Sequence, residues 1–227
     1  SDGSVLMVDR HSTASERYHQ ALNSWIVDAT VPVALYDDYG FETGGAVLLP
    51  DGRAFFIGAT GHTAFYTLPV SGTTGTWVAG PDVPNAQGTP DAPIAMMVNG
   101  KSLCAVSPIP VPGNVFQTPT SFYEFDAVTN AFTRINAPTG GLTTNDVSYA
   151  FTFLQLPNGQ VMCSRADSQQ YYLYTPDGSP LAAGKPAVVG VTNNGAGTFM
   201  LSGTLFNGIS QGSSYGDDWQ MNTNYPV

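Results

Sequence analysis

Short apolar stretches alternate with glycine-containing turns along the chain, and this pattern predicts a protein built of β-strands. A tight turn followed by an apolar strand occurs four times, beginning at Asp2, Asp51, Asn99 and Asn158, each followed directly by Gly. In the last three copies an apolar run also precedes the turn, so two strands meet there. Asp-Gly and Asn-Gly favour type I′ turns, whose two central residues both have positive φ. The pattern therefore predicts type I′ hairpins at these positions.

An aromatic strand follows each hairpin at a similar distance. These strands cover residues 16–19, 63–66, 122–125 and 171–174. Three of the repeats then close on another aromatic residue, at Trp25, Trp77 or Phe132. Each repeat thus predicts a sheet of short strands over about fifty residues. Because so small a sheet cannot bury both faces by itself, the repeats predict sheets stacked radially, as in a β-propeller.

The composition limits the classes of function. Only 11% of the 227 residues are charged, against about 25% in an average soluble protein. Seventeen Asp and Glu outnumber seven Lys and Arg, and the net charge of −10 repels the phosphates of nucleic acid. No apolar run approaches the roughly 18 residues of a membrane-spanning helix. We therefore expect an exported protein, extracellular, on the cell surface or periplasmic, that binds no nucleic acid and does not span a membrane.

The repeat resembles the kelch blades of bacterial proteins related to galactose oxidase and glyoxal oxidase. The Asp-Gly turn, the aromatic strand, the Trp and a trailing Pro carry the resemblance, and segments 58–66 and 214–226 are similar to segments of those proteins. The resemblance implies an all-β fold in which residues 1–184 form an incomplete kelch-type propeller of about three to four blades. It also implies that residues 185–227 begin an immunoglobulin-like β-sandwich.

The resemblance further implies where the ligands of a copper radical oxidase would lie. That family uses a cross-linked Cys–Tyr pair, an axial Tyr followed directly by a His, and a second His from the C-terminal domain. Tyr149 matches the axial tyrosine, but Ala150 stands at the position of the histidine. His11, His19 and His62 do not precede inner strands, so we expect them to hydrogen-bond locally. These residues predict a protein without a catalytic set or a cofactor, while copper in the full-length protein stays an alternative.

The two cysteines occupy equivalent positions in their repeats. Cys104 and Cys163 each lie five residues after the turn Asn, where the other repeats have Phe56 and Met7. Stacked sheets are about 10 Å apart, whereas a disulfide needs Cα atoms within about 7 Å. The sequence therefore predicts two buried free thiols.

Carboxylates are the remaining candidates for a binding site. Glu42, Asp91 and Asp146 each precede a predicted inner strand, which places them at one mouth of the propeller. Such carboxylates bind calcium, although they also cap exposed turns. A second acidic and aromatic group, which would bind a cation or a sugar or would pack between domains, contains Asp217, Asp218 and Trp219.

The leading hypothesis is an exported, non-catalytic, galactose-oxidase-like propeller that acts as a binding or structural module at the cell surface. Its partner would be a glycan, a protein or a cation. One alternative is a fragment of a copper radical oxidase that acts on alcohols or aldehydes. Another is a subunit of an extracellular assembly, in which further copies of the chain, or missing parts of a longer chain, complete the open sides of the propeller.

Overall fold

The computed structural model describes residues 4–206 together with the backbone of two later strands, 213–215 and 220–223. These residues form strands and three short 3-10 helices (Gln20–Leu22, Ser148–Ala150 and Ala182–Gly184), and contain no α-helix. The strands are β1 (Val5–Val8), β2 (Ser15–His19), β3 (Ser24–Val27), β4 (Ala46–Leu48), β5 (Ala54–Ile57), β6 (Thr63–Thr67), β7 (Thr76–Ala79), β8 (Gln87–Gly88), β9 (Ile94–Met96), β10 (Ser102–Pro108), β11 (Thr120–Asp126), β12 (Ala131–Ile135), β13 (Thr143–Thr144), β14 (Phe151–Gln155), β15 (Val161–Arg165), β16 (Tyr171–Tyr174), β17 (Ala187–Gly195), β18 (Thr198–Thr204), β19 (Ser213–Tyr215) and β20 (Gln220–Thr223).

Four successive sheets follow the predicted repeats. Sheet I contains β1–β3, sheet II contains β4–β7, sheet III contains β8–β13, and sheet IV contains β14–β16 with β20 and β19. Antiparallel pairing orders sheet II as β4-β5-β6-β7 and the main part of sheet III as β9-β10-β11-β12. Within the described residues, sheet I has no counterpart of the inner strand β4, and sheet IV has no counterpart of the outer strand β7.

The hairpin turns differ from the type I′ prediction. Positive φ occurs at Gly52, Gly100 and Gly159 but not at the Asp or Asn before each of them. At the first of these turns the Gly52 amide donates to the carbonyl of Leu49, which makes a three-residue loop of a type I turn followed by a left-handed glycine. The side-chain oxygen of the preceding acid or amide accepts the backbone amide two residues on, as Asp51 does from Arg53 at 3.0 Å. This hydrogen bond holds the Asp or Asn at negative φ. The prediction of two-residue type I′ turns was therefore wrong.

The cores lie between successive sheets. One cluster joins sheets I and II around Tyr66 and Trp77, a second joins sheets II and III around Phe55 and Phe125, and a third joins sheets III and IV around Phe122 and Phe153. The rings of Phe55 and Phe125 stack with centroids 4.1 Å apart. The inner strand β9 lies between β4 and β14. Sheets that pack face to face with adjacent inner strands have the arrangement of a β-propeller.

The two cysteines lie in separate cores. Cys104 is buried between sheets II and III, and Cys163 is buried between sheets III and IV. Both are free thiols, as predicted. Their registers are equivalent, because Cys104 pairs with Tyr123 and Cys163 pairs with Tyr172.

The last part of the chain leaves the repeat. Strands β17 and β18 form a two-stranded antiparallel sheet of their own, beginning two residues after the predicted boundary at 184/185. Strand β20 pairs in parallel with the inner strand β14 and antiparallel with β19. An immunoglobulin-like domain over 185–227 stays a prediction. None of the helices in the described residues is long and apolar enough to cross a membrane.

Candidate functional site

One end of the stacked sheets carries the loops from which the inner strands begin. Loop 28–45 leads into β4, loop 80–93 leads into β9, and loop 136–150 leads into β14. Because neighbouring strands are antiparallel, loops 9–14 and 109–119 lie at the same end. We call this end the mouth.

A buried carboxylate shapes the loop before β4. Asp37 is 3% exposed, and its side chain accepts hydrogen bonds from the backbone amides of Tyr39, Gly40 and Glu42 at 2.7 to 2.8 Å. A carboxylate that accepts several amide hydrogen bonds fixes the backbone around it. Asp37 therefore holds the loop that displays Tyr39 and Phe41 to solvent.

Two pairs of aromatic rings lie at the mouth. The ring of Phe41 lies 4.5 Å from that of His11, and the ring of Tyr149 lies 4.6 Å from that of Phe116 in an edge-to-face arrangement. The loops that carry them touch at Gly40, where a Cβ would lie 2.7 Å from Val115 Cγ1. Glycine at this position therefore permits the close approach of loops 28–45 and 109–119.

Two carboxylates lie beside these rings. The Asp91 amide donates to the carbonyl of Thr43 at 2.8 Å, which brings Asp91 next to Glu42. Burial raises the pKa of Glu42 and the negative charge of Asp91 raises it further, while Arg10 acts in the opposite direction. We define the mouth surface as Tyr39, Phe41, Glu42, Asp91, Phe116 and Tyr149.

Backbone strain also occurs in this surface. Phe41 has a φ of +59° and Asp91 has a φ of +52°. The left-handed region costs a non-glycine residue roughly 1–2 kcal/mol. Residues with strained backbone conformations are held in place by the surrounding structure, and they often cluster at functional sites.

The third predicted carboxylate has a different environment. Asp146 precedes β14 as expected, but its Oδ1 lies 2.7 Å from Nη1 of Arg165, and its Oδ2 accepts a hydrogen bond from Thr144. Although burial raises the pKa of Asp146, the hydrogen bonds from Thr144 and Arg165 outweigh burial and hold it below its ordinary value. The structure thus brings Glu42 and Asp91 together and neutralises Asp146 with a cation.

The remaining predicted residues are placed as follows. Tyr149 lies in the 3-10 helix before β14 and is 46% exposed, with Ala150 directly after it. His62 hydrogen-bonds Asp82 through Nδ1 at 2.8 Å, as predicted. The hydrogen bond from His11 to Asp9 comes from the backbone amide. The prediction was wrong for His19, whose buried Nδ1 has no hydrogen-bond partner among the described residues. Asp217, Asp218 and Trp219 lie outside the described residues.

The sequence reasoning missed most of the aromatic part of this surface. Tyr39, Phe41 and Phe116 lie in loops without any strand pattern. Their proximity depends on contacts between loops from different repeats. The one local signal was Asp37, which begins an Asp-Asp-Tyr-Gly sequence with Asp at the first and Gly at the fourth position, as in many type I turns.

Comparison with known proteins bears on the fold. No protein-family model and no curated protein matches the chain. A solved structure that does match is described as a novel fungal alcohol oxidase with catalytic diversity among the AA5 family, in complex with copper. The alignment covers 89% of this chain and 46% of that chain, with 18% sequence identity and a TM-score of 0.56.

The fold is galactose-oxidase-like. At this level of identity the similarity concerns the architecture alone, since one fold supports many activities. The galactose-oxidase-like chain spans about half the length of the matched oxidase.

Copper binding can be tested against the residues of the described chain. Copper sites use imidazole, phenolate and thiolate ligands. Tyr149 is followed by Ala150, His62 is paired with Asp82, and both cysteines are buried in the cores. No group of three or more His, Cys, Asp or Glu side chains in the described part of the chain could hold a metal ion. Within the described residues, therefore, neither copper nor the calcium alternative has a group of three ligands.

Proposed function

We propose that the chain is an exported, non-catalytic, galactose-oxidase-like propeller module that binds a neutral glycan through the mouth surface. The observation that carries this proposal is the group of exposed aromatic rings, with two carboxylates, on the loops of the mouth. The low charged fraction and the net charge of −10 support an exported protein whose partner is not a polyanion.

The aromatic rings supply one half of a sugar-binding surface. An aromatic face is electronegative and favours contact with the weakly positive C–H groups on one face of a sugar ring. Tyr39, Phe41 and Tyr149 are each between 37 and 51% exposed, so their rings are accessible to a ligand. Phe116 supports the ring of Tyr149 from the side.

The carboxylates supply the other half. Ionised carboxylates are hydrogen-bond acceptors, and sugar hydroxyls are donors. The backbone of Glu42 is held by the hydrogen bond from its amide to Asp37, and the backbone of Asp91 is held by the hydrogen bond from its amide to the Thr43 carbonyl. A ligand surface of apolar rings with a few fixed polar groups is typical of specific small-molecule recognition. A neutral glycan fits this chemistry better than an anionic one, because both polar groups are acidic.

Glycan binding can be tested with an array of neutral glycans, followed by calorimetry on the best ligand. We expect Tyr149→Ala to weaken binding about tenfold, the equivalent of roughly 1.4 kcal/mol. Phe199→Ala is the matched control, because Phe199 is an aromatic residue of the β17–β18 hairpin with 61% exposure. Failure to bind any neutral glycan, or equal affinity of Tyr149→Ala and wild type, would refute the proposal.

A second candidate function is a portion of a copper-dependent alcohol oxidase. Two observations favour it: the matched structure is an alcohol oxidase in complex with copper, and Tyr149 lies half exposed at the mouth. Metal analysis after incubation with copper, combined with a peroxide-release assay on alcohols and aldehydes, separates the two functions. Stoichiometric copper with turnover supports the oxidase, and absence of both supports the binding module.

A further inference from the structure

Each of the three cores between sheets I to IV joins two different kinds of sheet face. In each sheet we define the leading face by one residue, which is Met7 in sheet I, Phe56 in sheet II, Cys104 in sheet III and Cys163 in sheet IV. The opposite face of each sheet is the trailing face. The leading face of sheet III packs on the trailing face of sheet II, and the leading face of sheet IV packs on the trailing face of sheet III. Sheets I and II meet in the same way, because Leu6 and Val8 of the trailing face of sheet I pack in the same cluster as Phe56.

The leading face of sheet I has no sheet against it in the described part of the chain. Its apolar side chains are 48 to 76% exposed, and they are Val5, Met7, Trp25 and Val27. The equivalent residue of Trp25 in sheet II is Trp77, which is 8% exposed and donates from Nε1 to Ser15 of sheet I. Trp25 therefore occupies a position that a neighbouring sheet buries elsewhere in the molecule.

The trailing face of sheet IV is open in a corresponding way. Tyr171 and Leu173 are 58% and 59% exposed. By register, Tyr171 is equivalent to Phe122 of sheet III, which is 2% exposed and packs edge-to-face on Phe151 of sheet IV. Among the described residues, the two open faces are thus one leading face and one trailing face.

We propose that the open leading face of sheet I binds the open trailing face of sheet IV in a second copy of this chain. The cores between sheets I and II, II and III, and III and IV are all trailing-to-leading contacts, so this pairing continues an interface that the molecule already makes. Two copies of sheets I to IV supply eight sheets, within the roughly four to eight blades of known propellers. Such a head-to-tail contact closes into a ring when its rotation allows.

Measurement of the mass in solution tests the association. We expect light scattering and native mass spectrometry of the 227-residue chain to give at least twice the 23.9 kDa of a single chain. Val27→Arg and Leu173→Arg each place a charge in one of the two faces, and each should reduce the mass to that of one chain. Val70→Arg is the matched control, because Val70 is fully exposed on the loop between β6 and β7 and lies on neither face.

Mixing the variants distinguishes head-to-tail pairing from other contacts. An equimolar mixture of Val27→Arg and Leu173→Arg retains one unaltered pair of faces, so we expect it to form a complex with one copy of each. A symmetric contact between two leading faces would instead leave Leu173→Arg dimeric and give no rescue. The proposal is overturned if the wild-type protein has the mass of one chain, which is the result expected if further sheets of a longer polypeptide cover these faces. It is also overturned if the mixture fails to associate. None of these outcomes depends on glycan binding at the mouth.

Discussion

The carboxylate of Asp28 lies 3.1 Å from Nε of Arg17, and both side chains are completely buried between sheets I and II. Asp28 also accepts hydrogen bonds from the Tyr66 hydroxyl of sheet II and from the Gly75 amide. The guanidinium of Arg17 donates to the Thr73 carbonyl at 2.6 Å. This network fixes how sheet I meets sheet II.

Removal of the Asp28 charge should strongly destabilise the fold. Asp28→Asn leaves Arg17 buried without a counterion, which typically costs about 3–5 kcal/mol. For a chain of this size we expect the melting temperature to fall by roughly 10 °C. Differential scanning calorimetry measures the shift, with Asp82→Asn as the control because Asp82 pairs with His62 on the surface. Equal melting temperatures for Asp28→Asn and wild type would contradict the role assigned to the network.

The effect of Asp28→Asn should depend on pH. Burial by itself raises the pKa of Asp28, but hydrogen bonds from Tyr66, Arg17 and two backbone amides outweigh burial and lower the pKa below its ordinary value. Because the folded-state pKa is depressed, the stabilisation is fully present above the unfolded pKa of about 4 and is lost as pH falls through the folded value. The difference in melting temperature between wild type and Asp28→Asn should therefore shrink below about pH 4.

Asp37 should control the mouth surface with a limited effect on the fold. Asp37→Ala removes the acceptor of three amide hydrogen bonds in the loop that carries Tyr39 and Phe41. We expect a loss of about 2 kcal/mol in stability and at least a tenfold loss of glycan affinity. Calorimetric titration measures the affinity, and Asp38→Ala is the control on the exposed neighbouring residue. Retention of affinity in Asp37→Ala would show that the loop does not form the site.

Glu42 should destabilise the fold at neutral pH. Burial, and then the charge of Asp91, raise the pKa of Glu42, so its carboxyl group binds a proton more tightly in the folded state than in the unfolded state. The contribution of Glu42 to the free energy of unfolding is greatest below its pKa in the unfolded state. This contribution decreases as the pH rises through its pKa in the folded state. We therefore expect Glu42→Gln to raise the melting temperature at pH 7 by about 1 °C, because solvent screening limits the effect, and to have no effect near pH 4. A lower melting temperature for Glu42→Gln at pH 7 would contradict this assignment.

The cysteines should be unreactive in the folded protein. Burial raises the pKa of Cys163 to about 12 and that of Cys104 higher still, so neither forms a thiolate at neutral pH. A thiol reagent such as Ellman's reagent should label no cysteine in the native state and two in denaturant. Rapid native labelling of either cysteine would place it outside the cores.

The repeated sheets could be predicted from the sequence because their signals are local. The apolar run before Asp51, the Gly52 turn and the strand after it lie within about a dozen residues, and hairpin pairing follows from such proximity. The same reasoning gave the wrong turn type, because the hydrogen bond from the Arg53 amide to Asp51 decides the conformation of the loop. That contact is not visible in the Asp-Gly pair alone.

The candidate site could be predicted only in part. Glu42 and Asp91 were found because each precedes an inner strand, and equivalent loops meet at one end of the sheets. Arg165 was not recognised as the partner of Asp146, because the two residues belong to different strands and loops. The contact between Gly40 and Val115, which aligns the aromatic loops, joins residues that are 75 positions apart in the chain. No local pattern reports a contact of that kind.

Titration of the array-selected neutral glycan into protein treated with EDTA tests the proposed function most directly. Wild type should bind with unchanged affinity after removal of metal ions, and the Phe41→Ala/Tyr149→Ala double variant should show no measurable binding. Loss of binding upon EDTA treatment, or binding by the double variant that equals wild type, would contradict recognition by the aromatic mouth.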